Sequence, residues 1–290
     1  MVSKDNILIT TDFNEKSLDT NLKYTKFLVK KFGSNVSLIH VVEEAGFFSK
    51  IFGDSSEDAV DKMKHKFKKL ALAIEKDYGL NVTPVIKYGR VTKEINKYAE
   101  KIDCDLIVIG TSNSDEGDNA IGANAHRMIR IAECPVLTLR NDIEPRDIKN
   151  ILLPIEQLLS SRQKVKNAIE WAKSYDAKIT LIAGKYSKDE DEVRHLNSIC
   201  KNTKNFIADH GIECDIVFLE NVETRNDFAI KITEYANNPD NNVDLIIVMG
   251  RDESTEFYIS STSQKVIGFA NVPVLCVPIR DIGMNVVPSF

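Results

Sequence analysis

Along the first half of the chain, short apolar runs alternate with longer stretches in which apolar residues recur every three or four positions. Residues 5–11 form such a run and end at Asp12; after it Leu18, Leu22, Thr25, Leu28 and Phe32 keep helical spacing until Gly33 interrupts them, which predicts strand, loop and helix. The same reading predicts a strand over 36–42, then a helix from Glu57 to just before Gly79, faced by Val60, Met63, Phe67, Leu70, Ala71 and Ile74. A strand over 82–88, a helix over 92–102 and a strand over 106–109 follow. The last of these is apolar throughout, as in a parallel sheet covered on both faces.

The second half repeats the course, with strands over 151–155, 179–183, 216–219 and 245–249, one helix from Ser161 and another through Val193, Leu196, Ile199, Thr203 and Phe206. Asp189, Glu190, Asp191 and Glu192 sit where that helix begins, and carboxylates there complement the positive end of the helix dipole. Three strings recur in order: Asn6-Ile7-Leu8-Ile9 as Asn150-Ile151-Leu152-Leu153, Asp105 to Gly110 as Asp244 to Gly250, and Cys134 to Leu139 as Val272 to Val277. The chain therefore reads as a tandem duplication of an α/β unit, two open doubly wound parallel-sheet domains at 1–143 and 147–280. A polar stretch over 141–149 links them, and 281–290 forms a C-terminal tail.

Composition narrows the function classes. At 290 residues, with 43% hydrophobic and 28% charged residues and a net charge of −5, the chain has no general positive field for nucleic acid or anionic membrane. Neither a signal-peptide core near Met1 nor an apolar run long enough to span a membrane is present, so a cytoplasmic protein is expected. The five cysteines, without any CxxC, read as reduced and structural. The lysines from Lys62 to Lys69 fall off the apolar stripe of their helix and read as a solvated face. The histidines at 40, 65, 126, 195 and 210 are dispersed, which argues against a metal site. P-loop, dinucleotide-fingerprint and hydrolase-elbow strings are missing from the sequence. Gly46-Phe47-Phe48-Ser49-Lys50-Ile51-Phe52-Gly53 is an apolar octet in a connection; it either folds back on the domain or contacts a protein partner or second copy.

In a doubly wound sheet, ligands bind beyond the carboxyl ends of the strands. Glycines at 110, 117 and 122 follow the fourth strand and precede a helix, so the segment is either an anion-binding turn or simply a turn. At these residues the chain resembles the universal stress protein family, as two fused copies. The resemblance rests on Asn6 to Asp12, Asp105 to Gly110, and Gly122 to Leu139 with its closing CPVLTL. It implies Rossmann-like domains of the adenine nucleotide alpha hydrolase type, a role in stress response, and an adenine nucleotide held by Thr11, Asp12 and the Val41 backbone. The phosphates would then fall to Gly110, Asn113, Gly122, Ala123 and Asn124. It also implies pairing through the closing strands 136–139 and 274–277.

Against the family pattern of glycine, two residues, glycine, nine residues, glycine and a hydroxyl residue, this chain has Asn113 as the second glycine. It also has a gap of eight residues and Ala123 in place of the hydroxyl. A missing charge-assisted hydrogen bond is worth about 1.5–3 kcal/mol. Asp115, Glu116 and Asp118 add like charge, each costing about 1 kcal/mol in water and up to about 4 kcal/mol near a protein surface at 4 Å from a phosphate. In the second half Glu156 replaces the first-strand aspartate, Glu253 the second glycine and Ser260 the third, although Ser261 keeps the hydroxyl. The expectation is a non-enzymatic regulatory protein that binds AMP, or ATP with Mg2+, weakly in the first domain and not in the second. The alternative is a nucleotide-independent scaffold or protein-interaction module.

Overall fold

The computed structural model describes residues 4–43, 56–111, 121–156, 163–184, 189–251 and 259–279. They form two compact units, one built from residues 3–112 and 123–145 and the other dominated by residues 146–290. The octet at 46–53, Asn113, Glu253, the first residues of the helix expected from Ser161 and the tail at 281–290 lie outside the described residues.

The first unit holds strands β1 (Asn6–Thr10), β2 (Asn35–Val42), β3 (Thr83–Tyr88), β4 (Leu106–Gly110) and β5 (Val136–Leu139), all parallel in the order β3-β2-β1-β4-β5. Order reverses between β1 and β4, where a doubly wound sheet opens its crevice. Helices α1 (Glu15–Phe32), α2 (Ser56–Tyr78), α3 (Val91–Lys101) and α4 (Ala123–Ile131) join the strands. The second unit repeats the order with β6 (Asn150–Ile155), β7 (Lys178–Gly184), β8 (Cys214–Leu219), β9 (Leu245–Met249) and β10 (Val274–Val277) arranged β8-β7-β6-β9-β10. Its helices are α5 (Gln163–Tyr175), α6 (Glu190–Asp209), α7 (Arg225–Asn237) and α8 (Ser261–Phe269). The fold class is thus the mixed α/β parallel-sheet architecture expected from the alternating pattern.

Local chemistry sets the helix ends. Asn14 caps α1 by accepting from the Ser17 N–H, and Gly33 closes it in the left-handed conformation, φ 71°, donating to the Val29 carbonyl. Asp189 caps α6 by accepting from the Asp191 N–H. Helix α7, which the apolar pattern does not announce, starts with a reciprocal capping box between Thr224 and Asp227 and buries Phe228, Ala229, Ile232 and Ala236.

The recurring Asn and Asp of the duplicated strings form a clamp at the amino ends of the strands, opposite the crevice. Asp105 Oδ2 accepts from the Asn6 N–H at 3.1 Å, and Asn6 Nδ2 donates to the Ile102 carbonyl at 2.8 Å. In the second unit Asp244 Oδ2 accepts from the N–H groups of Lys149 and Asn150, both at 2.9 Å, and Asn150 Nδ2 donates to the Asn241 carbonyl at 3.0 Å. These polar groups, half-buried in the first unit and buried in the second, tie β1 to β4 and β6 to β9. Among the described residues, no helix is long and apolar enough to cross a membrane.

Candidate functional site

Strand β1 stops at Thr10, and the chain turns through Thr11, Asp12, Phe13 and Asn14 into α1. The turn is built from its own polar groups. Thr11 Oγ1 accepts from the Phe13 N–H at 3.0 Å, and Asp12 Oδ1 accepts from the Asn14 N–H at 2.9 Å. Asp12 is exposed, and its second oxygen, Oδ2, has no hydrogen-bond partner among the described residues. Phe13 takes a positive φ of 68°, a conformation costly for an aromatic residue. Its ring is held 4.3 Å from the His40 ring and 5.8 Å from the Phe67 ring, centroid to centroid, with Lys66 Nζ 5.2 Å above it. His40 Nδ1 donates to the Thr11 carbonyl at 2.9 Å, which makes it a structural histidine.

Strand β2 runs on past the end of β1. The Ile39 carbonyl accepts from the Thr11 N–H at 3.0 Å, on the β1 side. Alternate residues of a strand send their backbone groups to the same side, so Val41 presents its N–H and C=O beyond the end of β1. Thr11, Asp12 and the Val41 backbone are thereby brought to one end of the sheet.

Gly110 ends β4 beside this point for a reason the sequence did not disclose. A Cβ there would lie 1.9 Å from Ser17 Oγ and 3.2 Å from Ser17 Cβ, so α1 packs onto bare backbone. Gly110→Ala is expected to destabilise the first unit by about 1–3 kcal/mol through overpacking, and by much less in a Ser17→Ala background. Equal costs in the two backgrounds, measured by urea unfolding, would contradict this contact. Gly122 is buried, while Ala123 and Asn124 are exposed at the first turn of α4. Glycine has no side chain to cap that turn. On the same helix, burial together with Arg130 and Arg127 holds His126 below the usual imidazole range.

The second unit closes the same features. Ser260 Oγ accepts from the Ser263 N–H at 3.0 Å, and Ser263 Oγ donates to the Met249 carbonyl at 2.9 Å, so α8 carries its own cap where α4 has Gly122 and Ala125. Ala183 and Gly184 stand at the register positions of His40 and Val41, and a Cβ on Gly184 would lie 2.8 Å from the Phe228 ring. On α5, buried Val165, Ala168, Ile169, Trp171 and Ala172 take the places of Leu18, Asn21, Leu22, Tyr24 and Thr25 on α1, which puts Lys164 in the place of Ser17. Lys164 is only 3% exposed. Burial pulls its ammonium down to about 8, partly offset by the charge of Glu156. Sequence reasoning missed Phe13, Lys164 and the Ser260 cap; only the last had a signal, a serine three residues ahead of a buried one. Among the described residues, no group of three or more His, Cys, Asp or Glu side chains is placed to hold a metal ion.

Among known proteins, the model of the universal stress protein family matches residues 4–140. The chain is 29% identical to a universal stress protein of Methanocaldococcus jannaschii over 146 residues, 46% of this chain and 81% of that protein. It is 25% identical to universal stress protein G of Escherichia coli O157:H7 over 139 residues, 46% of this chain and 97% of that protein. Among solved structures, a universal stress protein from Archaeoglobus fulgidus has the same fold, with a TM-score of 0.72 at 18% identity, over 96% of this chain and 98% of that one.

Proposed function

We propose, from the match of residues 4–140 to the universal stress protein family, that the chain is a non-enzymatic nucleotide-binding protein with one working site. The first unit takes an adenine nucleotide at the carboxyl ends of β1, β2 and β4. Thr11, Asp12 and the Val41 backbone hold the adenosine side, while Gly110, Gly122, Ala123 and Asn124 take the phosphate side; Asn113, the remaining residue of that side in the family pattern, lies outside the described residues. The second unit takes none. The observation that carries this reading is the contrast between the two helix starts: α4 opens on a glycine, whereas Ser260 and Ser263 occupy the start of α8.

The phosphate side is the weaker one. Asn113 and Ala123 replace the family's glycine and hydroxyl residue, and Asp115, Glu116 and Asp118 bring negative charge to the same loop. AMP is therefore expected to bind as well as or better than ATP without magnesium, and Mg2+ to improve ATP selectively by offsetting those carboxylates. Calorimetry on the full chain decides it. Metal-free ATP binding tenfold tighter than AMP, about 1.4 kcal/mol, would overturn the adenosine-side reading. The acidic loop also favours a second reading, a nucleotide-independent interaction module, which predicts no heat with either ligand.

A further inference from the structure

The first unit sets two thiols side by side, at the end of the sheet away from the crevice. Strands β4 and β5 pair in parallel with Ile107 beside Val136, and the Ile107 N–H donates to the Pro135 carbonyl at 3.0 Å. Followed two residues back, this register sets Cys134 across from Asp105, with Cys104 next along the chain; neighbouring strands lie about 4.8 Å apart. The Cys104 thiol lies 3.3 Å from the Leu106 carbonyl and 3.6 Å from the Asn6 carbonyl, with the Cys134 thiol beside it. Cys134 is buried while Cys104 is partly open to solvent, so an outside reagent reaches one member of the pair. The backbone enters Cys104 through a left-handed residue, Asp103, at φ 48°.

The duplication supplies an internal comparison. Asp105 corresponds to Asp244 and Pro135 to Pro273, so Val243 and Val272 occupy the two cysteine positions in the second unit. Both valines are buried, and β9 and β10 pair there in the same register, with Ile246 beside Val274. This corner of the fold therefore needs only two small apolar side chains. Sulfur at both positions of the first unit brings a chemistry that packing does not require.

We propose that Cys104 and Cys134 are an oxidisable dithiol that closes to an intramolecular disulfide in the presence of a peroxide. Cys104 sulfur attacks one peroxide oxygen; the O–O bond breaks, leaving a sulfenic acid on Cys104 and one water. Cys134 sulfur then attacks the sulfenic sulfur, the S–O bond breaks, the S–S bond forms, and the thiol proton leaves with the hydroxyl as a second water. Two thiols lose two electrons in all, and the peroxide is reduced to two waters. The ring so closed runs from 104 through β4, Gly110 and α4 to 134, bracketing the segment on the phosphate side of the crevice. The inference stands independently of the nucleotide reading. The Cys134 thiol beside it and burial both push the Cys104 thiol up. The thiolate is the nucleophile, so crosslinking is slow at neutral pH and speeds up by about tenfold per pH unit.

The test treats the full chain with hydrogen peroxide, alkylates it after denaturation and maps the cysteines by peptide mass spectrometry. The expected product is a chain lighter by two hydrogens before alkylation, with Cys104 linked to Cys134. Cys200, Cys214 and Cys276 should be alkylated, and dithiothreitol should reverse the linkage. A chain carrying Cys104→Val and Cys134→Val, the pair the second unit already packs, should show no such loss. Cys104 recovered alkylated after oxidation, or as a sulfinic acid with Cys134 still alkylated, would overturn the proposal. So would a disulfide between chains, or the same mass loss in the double-valine chain.

Discussion

Lys164→Met is expected to stabilise the second unit at pH 7 by about 3 kcal/mol. The cause is a lysine 3% exposed whose ammonium is pulled from 10.5 down to about 8, mainly by burial. Methionine keeps the length and flexibility of the side chain without the charge. The sign follows from proton binding. Below about pH 8 the folded and unfolded chains both hold the proton, and the folded state bears the whole cost of the buried charge. Between about 8 and 10.5 the unfolded chain holds more protons, so the native protein gains stability as pH rises. Above that window both forms are neutral and the cost is gone. Urea unfolding of the native and Lys164→Met chains should therefore differ most at pH 7 and converge towards pH 10.5. A methionine chain less stable than the native one at pH 7 would mean that attraction to Glu156 outweighs desolvation.

Asp12→Asn is expected to weaken AMP binding by about 10- to 100-fold, the loss of one or two hydrogen bonds to a charged acceptor. Asparagine is the informative substitution. Its side-chain oxygen can still accept from the Asn14 N–H, the bond that Asp12 Oδ1 makes at 2.9 Å, so the turn into α1 survives and only the charge is removed. Glu156→Gln is the matching change in the second unit and should leave binding unchanged. Titration calorimetry with AMP reads both. Undiminished affinity in Asp12→Asn would remove the aspartate from the site, and a loss in Glu156→Gln would place a ligand in the second unit.

Most of the fold was legible because its elements are marked locally. The Leu18 to Phe32 stripe stops at Gly33, and the structure ends α1 there with a left-handed glycine. The apolar run at 106–109 became a strand buried between two neighbours. Helix α7 escaped because the residues from Arg225 to Asp227 are polar and its capping box uses Asp227 rather than the longer Glu or Gln. What stayed hidden in the site depends on contacts between distant segments. Gly110 looked like part of a phosphate turn, yet its bareness is also demanded by Ser17 Oγ from α1. Lys164 carries no sign of burial in the sequence; the helix register puts it in the place of Ser17, facing the sheet, where it is buried. The repeated Asn and Asp were visible as a repeat, but their role as a clamp required the pairing of β1 with β4 and of β6 with β9.

The asymmetry between the two units is tested most directly by counting nucleotides on the full chain. Equilibrium dialysis against saturating AMP, with protein concentration fixed by amino-acid analysis, should return one nucleotide per chain. Two per chain would contradict the proposed loss of the second site at Ser260, Ser263 and Lys164, and none would contradict the proposed first site at Asp12, Gly110 and Gly122.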